Sequence, residues 1–442
     1  MDTSIASVHG RRIWDSRGRP TVEVEIQLGC GAVGRGIAPA GASRGTREAI
    51  DLRDGGDRLG GYDVQRALHG VDADISTAIR GLDALDQPAV DARLLTCDGT
   101  PDKSRLGGNA LIATSLAVLD AAARSKGVPL WRHLADGGPV IIPLPEIQIF
   151  GGGAHAGRRV DIQDFMVMPL GATSFAEGLE WVAEIYRAAG DLLKSQGRSA
   201  GVADEGGHWP EFDTNDQALE LLVESIARAG LQPFTQIGIS LDIAASEFGR
   251  DGRYTLALER RELERDEMID LLIGWLDRYP IVSIEDPLAE DDEEGWRRFM
   301  TRCRSRARPV QVIGDDLLVT SATRVRDASR DGLCNAVLVK PNQAGTVTET
   351  RAALDAARAA GMASIVSARS GETEDVAIAH LSIGWNAGQL KVGSFSRSER
   401  MAKWNEVLRI EESLGTSARF AGRAALAGAG AVERGGDAAR RV

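Results

Sequence analysis

Apolar residues in the first part of the chain form the short, alternating runs that are typical of β-strands. The runs SIASVHGRRIWDS, PTVEVEIQL and AVGRGIAP are punctuated by the turn-forming stretches DSRGRP and GCG, which predicts a β-meander. Helical periodicity follows at residues 63–80, 86–97, 109–126 and 129–135. The third helix is predicted to have Asn109 as its N-cap and to stop at Gly127. Residues 1–138 are therefore predicted to form a small α+β domain.

From Val140 onward, short apolar runs alternate with helical segments. The clearest of these segments lie at residues 174–196, 214–229, 266–277, 346–360 and 397–412. Such β–α alternation predicts a parallel sheet closed into a (β/α)8-type barrel over residues 139–420, with an irregular opening in which the first runs are consecutive strands. The Ala-, Gly- and Arg-rich residues 421–442 are predicted to be a flexible tail, and a final helix packed on the barrel is the alternative.

Composition narrows the class of protein. The net charge of −12 argues against nucleic acid and anionic membranes as partners. The four cysteines are scattered without a CxxC pair, which disfavours a disulfide framework or a zinc site and favours a reducing compartment. No signal peptide or run of membrane-spanning length is apparent. These features together predict a soluble, cytoplasmic protein.

Ionisable residues end nearly every predicted strand beyond residue 200. They are Glu205, Asp242, Glu285, Asp315, Lys340, Arg369 and Lys391. The carboxyl ends of barrel strands converge on one face, where barrel enzymes place their active sites. The sequence therefore predicts a single polar site on that face.

Three of these residues are carboxylates on successive strands, namely Asp242, Glu285 and Asp315. Three oxygen ligands suit Mg2+, which completes its octahedron with water or substrate. The alternative for any one of them is a helix cap. The recurrence at equivalent places on three strands favours a metal site.

Two lysines follow on later strands, Lys340 in VLVKPNQ and Lys391 in GQLKVGS. A buried ammonium is costly without a partner. Beside a divalent cation its pKa can fall far enough for a general base, and a structural ion pair with a carboxylate is the alternative.

Two glycine-rich loops are weak signals taken alone. GGGAHAG at 151–157 carries His155, and GASRG at 41–45 carries Ser43. Neither fits a phosphate-binding Walker A loop or a dinucleotide fingerprint, and no GxSxG nucleophile motif occurs.

Taken together, the motifs resemble those of the enolase family over about residues 5–415. The matching segments are DSRGRPTVEV, PAGASRGTREA, GGGAHAG, DIQDFMVMP, DEGG, LDIAASEF, SIEDPLAEDD, QVIGDDLLVT, LVKPNQAGTVTET, RSGETED and RSERMAKWNEVLRIEE. The resemblance implies an N-terminal α+β domain capping a C-terminal enolase barrel, usually in a homodimer or higher homo-oligomer. It also implies a small anionic phosphorylated or phosphono substrate and two Mg2+ per active site.

The resemblance implies a role for each site residue. Lys340 would remove the C2 proton of a 2-phosphoglycerate-like substrate, and Glu205 would assist departure of the C3 hydroxyl. The first Mg2+ would be held by Asp242, Glu285 and Asp315, and Ser43 would contact the second. Residues implied to contact substrate are His155, Gln163, Asp164, Arg369, Ser370 and Lys391.

Three positions depart from the family pattern. Ala368 replaces a histidine, Asp164 replaces a glutamate, and Pro341 replaces a small apolar residue after the base lysine. The altered pocket favours a specialised paralogue, similar to carboxyphosphonoenolpyruvate synthase of phosphonate and phosphinate antibiotic biosynthesis. An ordinary glycolytic enolase is the first alternative. An inactive enolase fold used as a binding protein is the second, and the retained lysines and carboxylates count against it.

Overall fold

The computed structural model describes residues 1–428, and its N-terminal part is the predicted meander covered by helices. The strands Ile5–Trp14, Pro20–Leu28 and Val33–Ile37 form an antiparallel sheet in that order. The helices are Gln65–Gly70, Val71–Ile75 (a π-helical turn), Ser76–Ile79, Gln87–Asp98, Gly108–Ser125 and Leu130–Ala135, with a 3-10 turn at Arg58–Gly61. All four predicted helical regions are present.

The helix Gly108–Ser125 lies directly on the sheet because two glycines of the third strand have no side chain. A Cβ on Gly34 would come within 2.1 Å of the Ala121 amide nitrogen, and one on Gly36 within 2.3 Å of the Ala113 carbonyl oxygen. The predicted N-cap was wrong by two residues, because the cap is Gly107. Asn109 instead accepts a hydrogen bond from the Leu52 amide and donates one to the Leu52 carbonyl, at 3.0 and 3.2 Å.

The rest of the described chain forms a closed eight-stranded barrel. Its strands, numbered here as barrel strands 1 to 8, are Leu144–Gly151, Asp164–Met168, Gly238–Asp242, Ile281–Glu285, Gln311–Gly314, Ala336–Val339, Ala363–Ser367 and Gly388–Ser394. Strand 8 pairs with strand 1 and closes the barrel. Strand 2 is antiparallel to both of its neighbours, and the other pairs are parallel. The irregular opening predicted from the sequence is this antiparallel strand.

Helices surround the barrel, and the five predicted ones agree with the structure to within two residues at each end. The α-helices are Phe175–Ser195, Asn215–Arg228, Arg265–Arg278, Glu293–Arg304, Ala322–Asp331, Pro341–Ala344, Val347–Ala359, Ala377–Gly384 and Ser398–Leu414. Short 3-10 turns lie at Gly153–Ala156, Ala245–Glu247, Gly415–Ser417 and Gly422–Ala425. Additional strands are the hairpin Ser199–Val202 with His208–Pro210 and the small sheet Gly249–Arg250, Arg253–Leu256 and Arg261–Glu264.

The first residues of the predicted tail pack on the amino-terminal end of the barrel. Gln389 donates a hydrogen bond to the Ala425 carbonyl at 3.0 Å. Leu426 packs against a buried cluster that includes Leu144 and Val282. Residues 429–442, over which the tail was also predicted, lie outside the described residues. Within residues 1–428, no helix has both the length and the apolar character needed to cross a membrane.

We predict that Gly34→Ala destabilises the N-terminal domain. The new methyl group meets helix backbone, which can give way only if the whole helix moves, and overpacking of this kind costs about 1–3 kcal/mol. The apparent melting temperature should fall. Gly274→Ala is the matched control, because a Cβ at Gly274 meets nothing within 4 Å and its helix gains propensity. Equal melting temperatures for the two variants would contradict the close-packing argument.

Candidate active site

Register along the barrel brings the predicted carboxylates to one rim. Asp164 pairs with Asp242, and Asp242 pairs with Glu285, across barrel strands 2, 3 and 4. Because strand 2 runs backward, its first residue lies at the same rim as the last residues of its neighbours. Asp315 and Lys340 directly follow strands 5 and 6. The rim therefore holds all the proposed metal ligands of the barrel.

A small, partly open cavity lies at this rim. Ten of the twelve predicted site residues line it: Ser43, His155, Gln163, Asp164, Glu205, Asp242, Lys340, Arg369, Ser370 and Lys391. The other two reach it through the lysines, since Glu285 contacts Lys391 and Asp315 contacts Lys340. The structure thus brings the whole predicted set together.

Lys391 lies among three carboxylates. Its Nζ is 2.9 Å from Asp242 Oδ2, 2.8 Å from Glu285 Oε2 and 3.6 Å from Asp164 Oδ2. Burial alone would lower the pKa of Lys391, but these carboxylates raise it well above its usual value. Lys391 is therefore a fixed positive charge in the cavity.

Lys340 forms a buried ion pair with Asp315 Oδ2. The other Asp315 oxygen accepts a hydrogen bond of 2.8 Å from Gln343, whose role the sequence analysis missed although it lies in the KPNQ motif. Burial opposes the charged form of Lys340, yet Asp315 raises its pKa above the usual value. The arrangement in this structure is the structural ion pair that the sequence left open as an alternative.

The donor set fits a divalent cation. Five carboxylates, of Asp164, Glu205, Asp242, Glu285 and Asp315, face two ammonium groups in and beneath the cavity. Glu285 Oε1 is buried and has no hydrogen-bond partner among the described residues. A hard cation with oxygen ligands would satisfy this oxygen and the neighbouring carboxyl groups.

The three predicted ligands do not form a compact coordination shell in this structure. Among residues 1–428, triplets of possible ligand atoms within 4.8 Å of one another occur at two other places, His155–Asp164–Glu205 and Asp286–Asp315–Asp316. The lysine ammonium groups lie against Asp242, Glu285 and Asp315 instead.

Glu205 does not end a barrel strand, contrary to the sequence interpretation. It lies in the turn of the hairpin Ser199–Val202 with His208–Pro210, which pairs with barrel strand 1 through Phe150 and His208. That hairpin carries Glu205 over the rim. The short apolar run before it had suggested a strand of the barrel.

His155 lies between Glu205 and Asp164. Its Nδ1 is 3.5 Å from Glu205 Oε1 and 3.9 Å from Asp164 Oδ1. Burial raises the pKa of Asp164 to about 6. Burial also favours the protonated form of Glu205, but His155 and other nearby cations bring its pKa below the usual value. Asp164 is therefore the better holder of a proton, and Gln148 fixes it by a hydrogen bond to Oδ1.

Arg369 joins the barrel to the N-terminal domain. It donates to Glu48 Oε2 at 2.9 Å, to Asn342 Oδ1 at 3.1 Å and to the Ser43 carbonyl at 3.0 Å. The Ser370 hydroxyl accepts a hydrogen bond of 2.7 Å from the Ala42 amide. The 41–45 loop is therefore held over the cavity. Glu48 was missed as a site residue although it lies in the quoted motif PAGASRGTREA.

The departures from the family pattern have different structural consequences. Pro341 is the first residue of the helix Pro341–Ala344, where proline fits well because no amide donor is needed. Ala368 lines the cavity, so the missing imidazole leaves space there. Asp164 also lines the cavity and faces Lys391.

Comparison with known proteins agrees with this geometry. The family model "Enolase, N-terminal domain" matches residues 5–134, and "Enolase, C-terminal TIM barrel domain" matches residues 139–428. The chain is 48% identical over 429 residues to "Enolase 1" of Desulfitobacterium hafniense (strain Y51), covering 96% of this chain and 98% of that protein. The chain therefore belongs to the enolase family and is an enolase-type carbon–oxygen hydro-lyase.

Proposed function

We propose that the protein is an ordinary enolase that converts 2-phosphoglycerate into phosphoenolpyruvate and water. The observation that carries this proposal is the convergence of Lys340, Lys391 and Arg369 with the acidic ligands in one cavity. The similarity to an enolase over nearly its full length supports this activity better than the specialised paralogue that Ala368 and Asp164 had favoured. Formation of phosphoenolpyruvate from 2-phosphoglycerate with Mg2+ is the direct test.

Lys340 is the proposed base for the C2 proton. A proton next to a carboxylate is weakly acidic, and its loss places a second negative charge on that carboxylate. Lys391, held as an ammonium by its carboxylate neighbours, is positioned to stabilise this charge. We expect Lys340 to act as a base once Asp315 is also the counter-ion of another cation, because Asp315 then stabilises the Lys340 ammonium less.

The proposed metal is Mg2+, two ions per site. Asp242, Glu285 and Asp315 would hold the first, and Ser43 would contact the second from its loop. Bound there, Mg2+ supplies positive charge where the substrate carboxylate gains negative charge. The unpaired Glu285 Oε1 supports this ligand assignment.

Glu205 and Asp164 are the proposed acid pair for the departing C3 hydroxyl. The pKa of Asp164, about 6, lets it store the proton, and Glu205 is the member closer to His155. His155 would connect the two carboxyls and stabilise whichever is ionised. Gln163, which donates a hydrogen bond to Asp242 at 3.1 Å, would line the same side of the substrate.

Arg369 and Ser370 are the proposed phosphoryl contacts. Both line the cavity at its boundary with the N-terminal loop. Glu48 holds the guanidinium of Arg369 through two hydrogen bonds, so that the group is oriented before substrate arrives.

We further propose, from the family resemblance, that the protein is cytoplasmic and forms a homodimer or higher homo-oligomer. Light scattering of the purified chain tests the oligomeric state.

We predict that Asp242→Asn, Glu285→Gln and Asp315→Asn each lower turnover about 100-fold or more. Each substitution removes a carboxylate that would bind the cation. EDTA should abolish activity of the wild type, and added Mg2+ should restore it. The exposed Asp327→Asn is the control and should retain full activity. Full turnover after exhaustive chelation would refute the metal assignment.

We predict that Lys340→Ala and Glu205→Gln separate the two half-reactions. Without Lys340, exchange of the C2 proton with deuterated water should fall by about 100-fold or more. Without Glu205, exchange should persist while elimination slows, because the acid acts on the C3 oxygen. Wild-type exchange in Lys340→Ala would identify another group as the base.

We predict that Ala368→His combined with Asp164→Glu raises kcat/KM for 2-phosphoglycerate by about 10-fold or more, because a polar group and a longer carboxyl return to the cavity. Ala368→Leu with Asp164→Glu is the control, since it fills the space without an imidazole. A kcat/KM that is unchanged or reduced in the histidine variant would mean that the native cavity already suits the reaction.

A further inference from the structure

A fully buried arginine outside the cavity connects the segments that carry the proposed substrate contacts. Arg400 lies in the helix Ser398–Leu414, is 0% exposed and does not line the cavity. Its Nη1 donates to the carbonyl oxygens of Arg369 and Val392, at 2.7 and 2.9 Å. Its Nη2 donates to the carbonyl oxygen of Ser370.

These three carbonyls belong to two separate segments of the rim. Arg369 and Ser370 follow barrel strand 7, whereas Val392 lies in strand 8 next to Lys391. A single planar guanidinium therefore fixes the distance between the proposed phosphoryl-binding residues and the lysine proposed to hold the carboxylate. The two ends of a small substrate would be held at these two places.

The guanidinium occupies a costly position. Its closest carboxylate oxygen, Glu399 Oε1, is 3.5 Å from Nε, and Nε has no hydrogen-bond partner among the described residues. Burial of a charge without a closely bonded counter-ion is unfavourable, so apolar packing would serve stability better. The presence of an arginine in spite of this unfavourable burial is consistent with a requirement for its three hydrogen bonds to backbone carbonyls.

The surrounding backbone accommodates this side chain. At Gly393, where φ is +113°, a Cβ would come within 3.1 Å of Arg400 Cδ and 2.9 Å of the Glu205 carbonyl. The Glu205 carbonyl in turn accepts a hydrogen bond of 2.9 Å from the Ser394 amide. Glycine at this position lets the arginine stem and the Glu205 turn approach strand 8 together.

We propose that Arg400 is a positioning residue, which sets the spacing between Arg369, Ser370 and Lys391 without contacting substrate. The substrate groups assigned to the two places rest on the proposed function, whereas the spacing of the three residues does not. A lysine at position 400 would keep the charge but could not present the planar fork that bonds three carbonyls in two segments.

The test compares Arg400→Lys and Arg400→Gln with the wild type. KM for 2-phosphoglycerate and the dissociation constant for phosphoenolpyruvate with Mg2+ should each rise about 10-fold or more in Arg400→Lys, with a smaller loss in kcat. Native-state hydrogen exchange should accelerate in peptides covering 368–373 and 391–394 and nowhere else. Arg400→Gln should show the same pattern more strongly.

Trp404→Phe is the matched control. Trp404 is fully buried on the same helix, and its indole donates to the Ser394 carbonyl at 3.1 Å, whereas Arg400 binds the Val392 carbonyl of that strand and the segment after strand 7. It should lower the melting temperature without changing KM or exchange at 368–373. Wild-type KM and local exchange in Arg400→Lys would overturn the proposal. Uniform acceleration of exchange, or variants that do not fold, would assign Arg400 to overall stability and overturn it as well.

The proposed function and the proposed role of Arg400 are refuted by different measurements. A wild type that makes no phosphoenolpyruvate refutes the proposed function, whereas hydrogen exchange still decides whether Arg400 fixes the two segments.

Discussion

The structure depends on compensation of buried charge at the rim of the barrel. Lys391 is buried with Asp242, Glu285 and Asp164, and each carboxylate comes from a different strand. Charges that are removed from water need close partners of opposite sign, so the observed strand register, which brings these groups together, is favoured. Polar side chains continue beneath them, where Gln311 and Gln389 are hydrogen-bonded to each other inside the barrel. The site is thus part of the interior and not an addition to it.

An acidic protein can offer a site for an anion here because its cations are concentrated and held in place. Arg369 has its charge oriented by Glu48 of the N-terminal domain, and its second nitrogen holds the Ser43 carbonyl of the 41–45 loop. The barrel alone would leave Arg369 without its main counter-ion. The N-terminal domain therefore completes the site as well as covering it, which explains why so small a cavity draws residues from both parts of the chain.

The sequence predicted the rim residues where a simple rule applied and missed them where the chain departs from that rule. Asp242, Glu285, Asp315 and Lys340 end or follow parallel strands, so a pattern of apolar runs was enough to place them. Glu205 reaches the rim on a hairpin outside the barrel, and the same pattern misplaced it. Glu48 and Gln343 act through hydrogen bonds to other site residues. Periodicity carries no signal for such contacts, because they depend on side-chain geometry between distant segments.

The three departures from the family pattern differ in how well the neighbouring residues accommodate them. Pro341 sits at a helix start, where its ring fits and its missing amide proton is not needed, so it leaves the neighbouring Lys340 in place. Asp164 is shorter than a glutamate but is fixed by Gln148 and faces Lys391, so its carboxyl group remains in the site. No neighbouring side chain among the described residues takes the place of the imidazole that Ala368 lacks. The methyl group of Ala368 ends at the cavity wall, and the adjacent residues are hydrogen-bonded to the N-terminal domain. Arg369 is bound by Glu48 and the Ser370 hydroxyl by the Ala42 amide. The space beside Ala368 is therefore not determined by local contacts, and we expect differences in rate from other enolases to originate there.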